Sequence, residues 1–177
     1  IAEINTKPPI AFNEKNLCWK TDIPIGHSSP CIWGDKIFIT GCLPDEKKLE
    51  MICINRKNGK IRWKHDLSVN EYEEFVVIAG TVPNAAEPTP VTDGERVYFY
   101  FGSYGIQCYD VSGKFLWEKR FPVESSRYGA ASSPVLYNNM LILCRDVVEM
   151  GKLYAFNKIN GDTIWVADLP RKPDPFN

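Results

Sequence analysis

The chain has 177 residues, 44% of them hydrophobic and 24% charged, with a formal net charge of −1. That composition supports a packed core, and the interspersed charges lack the basic footprint of a nucleic-acid binder. No apolar run approaches the roughly 18–20 residues of a membrane-spanning helix, and the opening IAEINTKPPI lacks the basic-then-apolar pattern of a signal peptide.

In chain order, residues 1–16 read as an N-terminal extension, and 17–27 as a lone strand carrying Trp19. Two kinds of unit then alternate. The first reads SSPCIWGDKIFITG (28–41), PTPVTDGERVYFYFG (88–102) and SSPVLYNNMLILCR (132–145). Each has Ser or Thr before Pro, a short apolar run, a tight turn and a β-rich run. The second reads MICINRKNGKIRWKHD (51–66), GIQCYDVSGKFLWEKR (105–120) and KLYAFNKINGDTIWVAD (152–168). Each has an alternating apolar run, a turn with Gly, and a Trp four residues after that Gly. Runs of Val, Ile, Tyr and Phe with period two, bounded by Gly, Asn and Asp, are strand signals. Two hairpins per repeat give four strands, A to D.

A four-stranded antiparallel unit that recurs every 44 to 54 residues, judged from Trp19, Trp63, Trp117 and Trp165, is the signature of propeller blades. The expected fold is therefore all-β: a partial β-propeller of about three blades plus one closing strand. Its expected divisions are strand D of a closing blade at 17–27, blade 1 at 28–66, a long loop at 67–87, blade 2 at 88–120, blade 3 at 121–169, and a connection toward a missing blade at 170–177. Open flanks on such a partial ring would favour self-association. The Gly of each second unit supplies positive φ for the C–D turn, and the Trp is expected to be buried between neighbouring blades.

Alternating strand directions put the tight A–B and C–D turns on one face and the longer B–C and D–A connections (41–49, 67–87, 102–105, 121–131, 146–151) on the other. Variable connections on a rigid scaffold are where binding concentrates. The candidate ligand or partner face therefore carries His27, Arg127 and Tyr128 just before inner strands, Tyr72 and Phe75 from the long loop, and Tyr104. No catalytic constellation assembles. His27 and Ser28 are sequence neighbours on an extended chain and point to opposite sides. The six cysteines form no C-x-x-C, and with only His27 and His65 no zinc spacing exists, so no metal site is expected.

The second unit resembles the tryptophan-docking motif of PQQ-like β-propellers, Ala-x-Asp-x-x-Thr-Gly-x-x-x-Trp. Ala155, Asn157, Asn160, Gly161 and Trp165 match it best. Cys53, Asn55, Asn58, Gly59 and Trp63 take the same places, and Cys108, Asp110, Gly113 and Trp117 form a copy one residue shorter. The resemblance covers residues 17–169 and departs in placing Asn where Asp and Thr usually stand. It implies a bacterial propeller that is periplasmic or extracellular and binds or scaffolds a protein or carbohydrate partner without a cofactor. The quinoprotein dehydrogenases of this group use calcium and a vicinal-cysteine disulfide, and no two cysteines here are adjacent. The alternative reading is the N-terminal part of a quinoprotein-type or carbohydrate-active enzyme with its site in other blades.

Overall fold

The computed structural model describes residues 13–69, 86–122, 131–146 and 151–169. Among these residues the chain forms three four-stranded antiparallel sheets, each in sequence order. The first holds β1 (Cys31–Trp33), β2 (Lys36–Leu43), β3 (Lys48–Asn55) and β4 (Ile61–Ser68). The second holds β5 (Val91–Thr92), β6 (Arg96–Tyr100), β7 (Ile106–Asp110) and β8 (Phe115–Lys119). The third holds β9 (Val135–Tyr137), β10 (Met140–Asp146), β11 (Gly151–Asn157) and β12 (Thr163–Leu169). These are three blades of a β-propeller.

Period-two patterning becomes two buried faces in blade 2, which has a blade on either side, and one in blade 3, whose other face is partly exposed. Phe38, Leu49, Met51 and Cys53 of blade 1 meet Val97, Phe99, Phe101 and Tyr109 of blade 2 in one fully or nearly fully buried cluster. The other parity of blade 2, Tyr98, Tyr100, Ile106, Cys108 and Trp117, meets Leu141, Leu143 and Phe156 of blade 3. The core is thus a pair of inter-blade seams. Each buried aromatic there contributes about 1.5–3 kcal/mol of apolar transfer free energy.

Three expectations need correction. Residues 17–23 form no strand; only Ile25 makes an isolated bridge, to Cys42. A closing D strand pairs with strand C of its own blade, and among the described residues no such strand lies beside 17–23, since β3 belongs to blade 1 and is paired by β2 and β4. The segment instead lies across the outer face of blade 1. There Trp19 packs on Ile37, Ile52 and Ile54, and Pro24 sits against Gly41. The first B–C connection is also shorter than expected, because β2 runs on to Leu43 and β3 begins at Lys48, leaving one 3₁₀ turn at Pro44–Glu46. Finally, β4 continues to Ser68, two residues into the segment expected to be loop.

Candidate functional site

The geometry of the seams assigns work to most of the conspicuous side chains. Trp19, Trp63 and Trp117 each lie over the C–D turn glycine of the blade that follows. A Cβ on Gly59 would meet the Trp19 ring at 2.6 Å, one on Gly113 the Trp63 ring at 2.8 Å, and one on Gly161 the Trp117 ring at 2.7 Å. The glycines have φ of 71°, 99° and 76°. Positive φ and the absence of a Cβ are therefore both required at this place. Each indole N–H donates to a carbonyl of the same turn: Trp19 to Arg56 (2.8 Å), Trp63 to Val111 (3.3 Å) and Trp117 to Lys158 (3.3 Å).

The rest of the motif follows from this docking. Cys53, Cys108 and Ala155 are fully buried and pair directly across from Trp63, Trp117 and Trp165, so the position takes a small side chain. Asn55, Asp110 and Asn157 each accept, through Oδ1, the backbone N–H two residues on, at 2.9, 2.8 and 2.9 Å. Asn serves this Asx turn as well as Asp does, which accounts for the departure from the usual motif. Two residues after Trp, Thr21 donates to the Gly59 carbonyl (2.6 Å) and His65 to that of Gly113 (2.7 Å). A carbonyl only accepts, so the bonding His65 nitrogen carries the proton. Its ring stacks on Tyr109 at 4.7 Å.

A second ladder runs along the inner strands. The Ser29 N–H donates to the Thr89 hydroxyl (3.1 Å), and the Thr89 N–H donates to the Ser133 hydroxyl (2.9 Å). The hydroxyl of the residue before Pro in blades 2 and 3, Thr89 and Ser133, is therefore an inter-blade acceptor for the preceding blade. The outer ladder of tryptophans and the inner ladder of hydroxyls hold successive blades at two radii.

The expected partner-face residues fare differently. His27 is exposed just before β1, with Nδ1 3.5 Å from Glu87 Oε1 and its backbone N–H bonded to the Ala86 carbonyl. Tyr104 lies in the 3₁₀ turn Gly102–Tyr104 on the same face, but its ring is buried in the seam between blades 1 and 2 and is not offered to a partner. Tyr72, Phe75, Arg127 and Tyr128 lie outside the described residues. Of the four docking tryptophans, Trp117 is buried and Trp19 and Trp63 are half-buried, whereas Trp165 is 37% exposed. Sequence reasoning passed over Trp33, which is half-exposed yet lies against Gly94 of the next blade. It also passed over the inner hydroxyl ladder, whose signal was the residue before each Pro.

Among the described residues the titratable groups are not arranged as a nucleophile and base. Burial pushes the Cys53 thiol up to about 11 and raises those of Cys31, Cys42 and Cys108 as well. All six cysteines are free thiols. Burial alone would raise Asp93. The N–H groups of Arg96 and Glu95 and the Lys158 ammonium (3.0 Å) outweigh it and hold the carboxyl below its ordinary value. That ion pair ties blade 2 to blade 3. Among the described residues no three His, Cys, Asp or Glu side chains converge as metal ligands.

Three antiparallel four-stranded blades docked Trp-on-Gly define a partial β-propeller of PQQ-like repeats. The family described as outer membrane protein assembly factor BamB matches residues 10–175, and the chain belongs to that family. No curated protein sequence matches it. Its fold is similar to a quinohemoprotein alcohol dehydrogenase from Pseudomonas putida (TM-score 0.64, 16% identity, 89% of this chain and 24% of that one). It is also similar to BamB from Moraxella catarrhalis (0.55, 13%, 85% and 39%) and to a europium-containing methanol dehydrogenase (0.56, 14%, 81% and 25%). The chain thus spans well under half the length of these structures. At such identities the likeness establishes fold alone.

Proposed function

We propose that the chain is a non-catalytic binding or scaffolding part of a β-propeller, engaging a protein or carbohydrate partner on its long-connection face in a periplasmic or extracellular setting. The observation that carries this reading is how the chemistry-bearing side chains are used. Trp63, Trp117, His65 and Asp93 are engaged between blades, and Trp19 and Thr21 hold the N-terminal segment to blade 1. His27, exposed at the start of an inner strand and facing Glu87, is left at the surface of the long-connection face. His27, Tyr72, Phe75, Arg127 and Tyr128 are the residues proposed to meet the partner. Similarity to BamB supports a scaffolding role, since that protein is described as an assembly factor.

A photo-crosslinking side chain in place of His27 is expected to capture a discrete partner in the native host's envelope. The same group in place of Asn139, on the tight-turn face, is expected to capture none. Capture from Asn139 alone would overturn the assignment of the face. The second reading is part of a quinone-dependent oxidoreductase, the class to which two of the proteins of similar fold belong. Dye reduction by the chain supplied with quinone, calcium and an alcohol would establish that reading and displace the first.

A further inference from the structure

The tight-turn face is not chemically uniform around the blades. In blade 1 the Arg56 N–H donates to the Asp35 carbonyl (2.9 Å), which joins the A–B turn to the C–D turn in one surface. That surface carries Lys36, Arg56, Lys57, Lys60 and Arg62 against a single acid, Asp35, which pairs with Lys36 and Arg62. Arg56, Lys57 and Lys60 are exposed and form no ion pair among the described residues. The same turns are joined in blades 2 and 3, by Val111 to Glu95 and Lys158 to Asn139, both at 3.0 Å. Acids outnumber bases there, however: Asp93, Glu95, Asp110 and Asp162 stand against Arg96, Lys114 and Lys158. The excess of cations therefore belongs to blade 1. Set among them are two large apolar side chains at the surface, Ile61 (47% exposed) and Trp33 (51% exposed).

We propose that the tight-turn end of blade 1 is a docking surface for an anionic phospholipid bilayer. Unpaired, long-stemmed cations gain from a planar field of phosphates, and each works without a shaped pocket because the field is continuous. A neighbouring indole and an isoleucine find their place at the depth of the headgroups. An acidic polypeptide would satisfy the charges but gives Ile61 and Trp33 no apolar layer to enter. The surface lies opposite the long-connection face, so the two could be occupied together.

Co-sedimentation of the full chain with vesicles tests this. The chain is expected to bind vesicles containing phosphatidylglycerol, to release them as salt rises, and to ignore pure phosphatidylcholine. Arg56→Gln, Lys57→Gln and Lys60→Gln together should lower partitioning by about a hundredfold at low salt, at roughly fivefold per cation. Ile61→Ser alone should lower it several-fold. All four positions are exposed, and an unchanged melting curve confirms that the fold is kept. A charge-matched variant on the other face, Lys47→Gln with Arg120→Gln and Lys152→Gln, should retain nearly full binding. Failure of the parent chain to bind anionic vesicles would overturn the proposal. Equal loss in the two triple variants, or full retention by the first, would do the same. Binding of polyglutamate in place of vesicles would reassign the surface to an acidic protein.

Discussion

Trp117 and Trp165 occupy the same place in consecutive copies of one motif, four residues after Gly113 and Gly161, each opposite a fully buried small residue. Trp117 is 8% exposed and lies on Gly161, whereas Trp165 is 37% exposed and no described residue offers it a glycine turn. The strand, the turn and the indole are alike, and the neighbour differs. The motif therefore encodes half of a contact. It becomes a stabilising interaction only when the next blade presents the other half. Trp19 makes the same point from the opposite direction. It has no strand of its own yet docks on Gly59 with the same N–H to carbonyl bond as Trp63 and Trp117.

The largest expected effect that would break this comparison is at Trp117. Trp117→Ala should cost about 3–5 kcal/mol in a denaturant melt, the usual range for deleting a buried aromatic. Trp165→Ala should cost less than about 1 kcal/mol, as exposed positions do. Equal losses would mean that the indole stabilises its own hairpin and that docking adds nothing. Next in size is Gly113→Ala, which forces a Cβ into the Trp63 ring at a φ of 99° and should cost about 2–3 kcal/mol. Gly34→Ala, at a φ of 57° with nothing within 4 Å, isolates the backbone part of that penalty and should cost about 1 kcal/mol.

A smaller effect sharpens the comparison of seams. Asp93→Asn should lower stability by about 1–2 kcal/mol by weakening the bond to Lys158. The native carboxyl is held below its unfolded value of 3.8. Its contribution is therefore complete above that value and disappears as the pH falls through the lower folded one. Acid titration of the melting temperature should show a drop in the parent below about pH 4 that is smaller in Asp93→Asn. Parallel acid profiles would remove Asp93 from the seam.

Much of the architecture was legible because it repeats. The Gly-to-Trp spacing, the residue before Pro and the period-two runs occur three times each, so chance resemblance in one copy is corrected by the others. What was not legible depends on partners distant in sequence. Residues 17–23 have strand-like local preferences, but a D strand forms only beside strand C of its own blade, and the described residues hold none for it. Tyr104 sits on the expected face, but its side chain belongs to the buried cluster between blades 1 and 2, a placement set by residues of both blades rather than by its neighbours in sequence. Trp33 was hidden for the opposite reason: an aromatic stands at its place in blade 3, Tyr137, but blade 2 has Asp93 there, so repetition gave no consistent signal.

The central claim is that blades are coupled by an indole lying on the next blade's glycine. A double-mutant cycle on Trp117 and Gly161 tests it most directly. Trp117→Ala opens the space that the Cβ of Gly161→Ala would enter, so the second substitution should cost far less in the Trp117→Ala background. A coupling of at least about 1 kcal/mol is expected between the two sites, which lie in different blades and 44 residues apart in sequence. Additivity within about 0.5 kcal/mol would contradict it.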